Sequence, residues 1–202
     1  MAGRPRSFDR SEALSSALDV FWARGYADAS LSDLTSAMGI NAPSLYAAFG
    51  SKEDLFREAV HLYSEREGAV LWRSMREAPT AREAIEGLLT ATANASGQCG
   101  RPQGCLIALS GVNPDALPDK ACREVKQVRT DSLASMRERL EAAQAAGELA
   151  PTADPAAIAA FYLTVQQGMT FRARDGAGQE ELTATAHAAM LAWDGLAGVR
   201  RS

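Results

Sequence analysis

Two histidines, three cysteines and a run of small polar residues near Asn41 carry most of the chemistry available to this 202-residue chain. His61 and His187 stand far apart on stretches of helical period, where each suits a surface or packing role. Cys99, Cys105 and Cys122 lack the CxxC spacing of a zinc site, and an odd number of thiols without a disulfide framework suits a reducing cytoplasm. No Walker loop or GxSxG element occurs, and Gly176-Ala177-Gly178 is too short for a dinucleotide fingerprint. The expectation is therefore a protein that is not an enzyme, without catalytic residues, metal ligands or cofactor. Cys105 is the one candidate nucleophile. It ends a glycine-rich loop at 97–104 and opens a short apolar helix, with Arg101 four residues before it. A thiol at a helix N-terminus near a cation has a lowered pKa, and Cys99 and Cys122 are candidate resolving partners. Small cysteines beside leucine and isoleucine are, however, more often plain packing.

Binding leaves a clearer trace than catalysis. The net charge of −4 does not announce a nucleic-acid partner, and residues 1–60 hold six Lys or Arg against eight Asp or Glu. Placement is what matters. Arg4, Arg6 and Arg10 lie in a short N-terminal arm, and no acidic residue falls between Gly39 and Lys52. The arm has no apolar stretch behind it, so it is not a secretory signal. No run approaches the length of a membrane span.

The elements that must position these residues are helices. At 47% hydrophobic and 23% charged the chain has an ordinary globular balance, it is rich in alanine, and no segment has the alternation of a strand. About nine helices are expected. A first runs over about 11–24 with an apolar stripe at Leu14, Ala17, Leu18, Phe21 and Trp22, closed by Gly25. Ser30 with Asp33 opens a second, ended by Gly39; Asn41 caps a third over about 42–49, with Pro43 in its first turn. Ser51 caps a long fourth helix over about 52–77, which Gly68 bends or interrupts. Later helices cover about 81–96, 105–109, 119–147, 155–171 and 180–196, with Asp154-Pro155 as the start of the penultimate one.

Segment 31–49 thus has the order helix, glycine turn, short polar helix. Two short helices at a steep angle present the start of the second to a major groove. The pattern Gly25-Tyr26, Ser30-Leu31, Asp33-Leu34, Met38-Gly39-Ile40, Ser44-Leu45-Tyr46, Phe49 and Ser51-Lys52-Glu53 resembles the DNA-binding region of the TetR family. The likeness implies a helix-turn-helix domain over 1–52 and a helical ligand-binding and dimerisation domain over 53–202. It further implies base contacts from Asn41, Ala42, Pro43 and Ser44, phosphate contacts from Tyr46 and Lys52, and an arm, Arg4 and Arg6, along the backbone or in the minor groove. Ser30 and Ser32 at the start of the second helix join this set. Ala42-Pro43 stands where relatives often carry a basic residue or glycine, so part of the readout falls to apolar contact with thymine methyls.

For the rest of the chain the same resemblance implies a homodimer that binds a near-palindromic double-stranded operator as a repressor and is released by a small-molecule effector. Trp72, Met75, Cys105, Leu106, Phe161, Tyr162 and Gln166 are the expected pocket wall. Ile158, Val165, Met169, Leu182, Ala186, Met190 and Trp193 are the expected dimer face on the last two helices. The alternatives are a redox- or electrophile-sensing regulator acting through Cys105 and a helical ligand-binding protein that never meets DNA.

Overall fold

The computed structural model describes residues 8–96 and 100–198, and every regular element among them is helical. Helix α1, Arg10–Asp28, starts where the Asp9 carboxylate accepts the Ser11 and Glu12 amides at 2.8 and 3.1 Å. Gly25 breaks its helical geometry at φ 78°, so the chain turns there and folds Tyr26 back against Phe56, ring centroids 5.2 Å apart. Helix α2, Leu31–Met38, opens with the reciprocal Ser30–Asp33 capping box and stops at Gly39 in the left-handed region. Helix α3 is Ala42–Phe49, and α4, Lys52–Tyr63, follows the Ser51 cap.

The fourth helix is less continuous than its sequence suggests. A π turn spans Ser64–Gly68, followed by two short pieces, α5 (Ala69–Leu71) and α6 (Arg73–Glu77), that break at Trp72. Helix α7, Ala81–Ala95, begins with a second capping box, Thr80 with Glu83. After α8, Leu106–Leu109, and a 3-10 turn at Pro114–Ala116, the long α9 runs Asp119–Ala145. The chain ends in α10 (Pro155–Arg174), whose N-cap is Asp154, then α11 (Gln179–Met190) and α12 (Trp193–Ala197).

Two apolar clusters hold these helices. One gathers α1 to α4 around Phe21, Leu34, Leu45 and Phe56, and is closed from below by Leu106 and Ile107 of α8 and Ala121 and Val125 of α9. The other packs α6, α7, α9, α10, α11 and α12 around Ile85, Leu88, Met136, Leu140 and Tyr162. Because α8 and α9 complete the first cluster, a displacement of either is felt in the packing of the N-terminal helices.

Candidate nucleic-acid interface and ligand cavity

Helix α3 has only eight residues, too few to hold by its own hydrogen bonds. Leu45 and Phe49 anchor it, both buried, each contributing about 1.5–3 kcal/mol. The opposite side is open: Asn41, Pro43, Tyr46 and Ala47 are exposed, and Ala42 and Ser44 are half-buried. The Asn41 side-chain oxygen accepts the Ser44 amide at 2.9 Å, which leaves its amide hydrogens for a partner. Tyr46, 44% exposed, stands away from the core. Ser32 is exposed on the first turn of α2. The Ser30 hydroxyl is already committed to Asp33, accepting its amide at 3.0 Å and donating to its carboxylate at 2.6 Å.

Arginines lock this arrangement. Arg10 donates from Nε and Nη2 to the Ala48 carbonyl at 3.3 and 3.2 Å, pairs with Glu58 at 2.7 Å and lies 4.3 Å over the Phe49 ring. It therefore ties the C-terminal end of α3 to α1 and α4, where a cation also meets the helix dipole favourably. Arg24 pairs with Asp33 at 2.9 Å and joins α1 to α2. The Lys52 ammonium sits 4.4 Å over the Tyr26 ring, and burial lowers its pKa from the ordinary lysine value, against the pull of Asp28.

A second set of contacts joins the end of α1 to the body. The Trp22 indole donates to the Gly104 carbonyl at 2.9 Å, and its ring meets Tyr63 edge-on at 5.0 Å. Arg174, at the end of α10, donates to the carbonyls of Trp22 and Gln103 at 3.4 Å and to that of Ala23. Arg101 pairs with Glu67 of the π turn beneath Trp22.

Beside this joint lies a cavity of about 480 Å³, walled by Tyr63 and the segments that follow it, by α8, and by α9 and α10. Leu71, Trp72, Met75, Ile107 and Leu163 make its apolar side. Tyr63, Cys105 and Gln166 line both this space and a smaller one of about 240 Å³ toward Arg101. Burial, and then the neighbouring Cys105 thiol with which the phenol shares a hydrogen bond, push the Tyr63 pKa well up. Volume and mixed lining both suit a small organic ligand.

The description of bacterial regulatory proteins of the tetR family matches residues 13–59, and that of the tetracyclin repressor-like C-terminal domain matches residues 79–190. The chain belongs to the TetR family. Among its TetR-type relatives, the HTH-type transcriptional repressor ComR of Escherichia coli is 34% identical over 197 residues, covering 95% of this chain and 91% of that one. The repressor BdcR of the same organism is 33% identical over 190 residues, covering 91% and 88%. A solved structure of a cysteine mutant of the regulator CifR, complexed with 26 bp double-strand operator DNA, is 42% identical with a TM-score of 0.86, covering 94% of this chain and 100% of that one. The chain is thus a DNA-binding transcriptional regulator with an N-terminal helix-turn-helix and a helical C-terminal part.

In this TetR-family member the residues expected at the two other sites fall unevenly. Trp72, Met75, Cys105 and Gln166 line the cavity. Leu106, Phe161 and Tyr162 do not: Leu106 fills the N-terminal apolar cluster, Tyr162 packs on Trp193 in the other, and Phe161 points outward at 39% exposure. The seven residues expected at the dimer face lie on the inner side of α10 to α12. Ile158, Met169, Leu182, Ala186, Met190 and Trp193 are buried within the protomer and Val165 packs partly beside them, so these side chains face the chain's own core. Arg4, Arg6 and Cys99 lie outside the described residues. Sequence reading missed Arg10 and Arg174 as clamps, and it missed Arg129 in the cavity wall. Arg129 could have been noticed, since it stands four residues after Val125 and seven before Met136, on the inward stripe of α9.

Proposed function

We propose that this chain is a cytoplasmic repressor whose homodimer grips a near-palindromic operator and releases it when a small molecule fills the cavity. Residues 1–52 form the reading head and 53–202 the effector and dimer body. One observation carries the reading: α4 begins at Lys52, beside α3, and the same strand of chain continues through Tyr63 into the cavity wall at Leu71 and Trp72. A ligand that shifts that wall acts on the position of α3. Two heads on one dimer meet successive major grooves about 34–36 Å apart. Asn41, Pro43, Ser44 and Tyr46 face the bases and phosphates, and no carboxylate lies between Gly39 and Lys52 to repel them. Arg4 and Arg6 are the proposed contacts of the N-terminal arm to the DNA backbone or the minor groove.

Fluorescence anisotropy with DNA from upstream of the chain's own gene tests this. The expected result is two protomers per site, with affinity that falls steeply with salt. Lys52→Ala weakens all sequences alike and reduces the salt slope by about one, once Lys52 leaves Tyr26 for a phosphate. Binding without salt dependence, or none at all, overturns the reading. An effector binds the DNA-free form more tightly, and operator weakens its binding by the same factor.

A second reading is favoured by the contact between the Cys105 thiol and the Tyr63 hydroxyl in the wall shared by both cavities. Alkylation there would press on the same wall. N-ethylmaleimide should then release operator from the wild type and not from Cys105→Ser; equal retention by both removes this reading.

A further inference from the structure

We propose that the effector of this cavity is an amphipathic anion, an apolar body of one or two rings carrying a carboxylate or sulfonate, and that Arg129 reads its charge. The proposal rests on the cavity being the effector site. Arg129, Arg76, Asp131 and His61 are the arginine, aspartate and histidine side chains that line the cavity. Both guanidiniums lack a carboxylate within ion-pair distance among the described residues, and each spends a bond on a backbone carbonyl instead. Arg76 donates to Ala69 at 2.9 Å near the rim, and Arg129 donates to Ile107 at 3.4 Å. Asp131 pairs with neither of them: it is exposed, and its carboxylate accepts from Gln127 at 2.8 Å, one turn back on α9. His61 is occupied by Glu124, which also pairs with Arg57 at 2.6 Å.

The Arg129 head is also lodged in a place kept clear for it. A Cβ on Gly111 would stand 2.5 Å from its Nη1 and 2.8 Å from its Cζ, so a side chain at 111 would evict the guanidinium. A half-buried guanidinium with one long neutral hydrogen bond has paid much of its desolvation without gaining a counterion. An incoming carboxylate or sulfonate completes it, and the planar fork takes such a group through two parallel bonds. The remaining volume, faced by Leu71, Trp72, Met75 and Leu163, suits an aromatic or short aliphatic body.

Two dyes of nearly the same shape test the charge. 8-Anilinonaphthalene-1-sulfonate is an anion, and N-phenyl-1-naphthylamine is its neutral counterpart. In the full-length wild type the anionic dye should bind saturably, one per protomer. It should be displaced by 2-naphthoate and not by 2-naphthamide at equal concentration. Arg129→Gln should weaken the anionic dye at least tenfold and the neutral dye less than twofold. Gly111→Ala, which displaces the guanidinium without removing it, should act in the same direction. If 2-naphthamide competes as well as 2-naphthoate, or if Arg129→Gln weakens both dyes alike, the inference is overturned while the effector cavity stands. If neither dye binds the wild type, the effector reading of the cavity falls and the anion inference with it.

Discussion

Asn41 performs two jobs that one substitution can separate. Its side-chain oxygen caps α3 through the Ser44 amide, and its amide faces outward at the end of the reading helix. Asn41→Asp keeps the acceptor and improves the match to the helix dipole, so thermal stability should hold or rise slightly. The same change puts a negative charge at the DNA-facing end, and operator affinity should fall by tenfold or more. Asn41→Ala removes the cap and should cost about 1 kcal/mol of stability as well as affinity. Circular-dichroism melts alongside anisotropy titrations decide it; Asn41→Asp with unchanged operator affinity would remove Asn41 from the interface. At this scale the sequence was most legible where a residue acts on its neighbours. Asn41, Ser30, Ser51 and Asp154 each cap the helix that follows, because the geometry of a cap spans three or four residues. It was silent where a side chain reaches across the fold, as Arg10 does over 38 residues to Ala48 and Arg174 over 152 to Trp22.

The π turn at Ser64–Gly68 shows how one extra residue in an element sets a site. The inward stripe of α4 passes through Phe56, Ala59, Val60 and Tyr63, and a regular helix would continue it at Glu67, Val70 and Ser74. The larger cavity is lined instead by Gly68, Leu71 and Met75, each one place later, while Val70 is left 62% exposed. A π turn takes up one residue beyond an α turn, which accounts for that shift. Nothing in the spacing of apolar residues announces it, since Val70, Leu71 and Trp72 are all apolar and both registers look plausible from sequence. Deleting Glu65, an exposed residue inside the turn, should restore a regular helix and rotate Leu71 and Trp72 by about 100°. The expected outcome is preserved helical content with loss of anilinonaphthalene-sulfonate binding to the cavity. Binding unchanged by the deletion would mean that the π turn does not set the wall.

Across the whole molecule, the inward packing of the residues expected at the dimer face has a physical cause. Helices α10 and α11 are alanine-rich, and α10 is apolar on both sides, with Phe161 and Tyr162 adjacent; periodicity shows that such a helix is amphipathic only weakly and does not say which side meets its own chain. The structure resolves the choice for the buried side and leaves an unusual surface on the other. On α10, Phe161, Thr164, Gly168 and Phe171 follow one another at helical spacing, all exposed, and on α11 Ala184 and Ala188 lead to Leu191, 80% exposed. A Cβ on Gly168 would meet nothing within 4 Å, so the notch it leaves opens away from the protomer. Large apolar residues beside small ones on two neighbouring helices form the self-complementary surface that a two-fold axis needs. We propose that the homodimer closes on this stripe, α10 and α11 of one protomer against those of its partner. Leu191→Asp, or Gly168→Leu to fill the notch, should give a monomer by light scattering while the melting temperature of the helical fold changes little, because neither side chain belongs to the internal core. Operator affinity should drop at least a hundredfold, since a single head keeps only half of the contacts. A Leu191→Asp protein that remains dimeric and binds operator as before would place the interface elsewhere on the molecule.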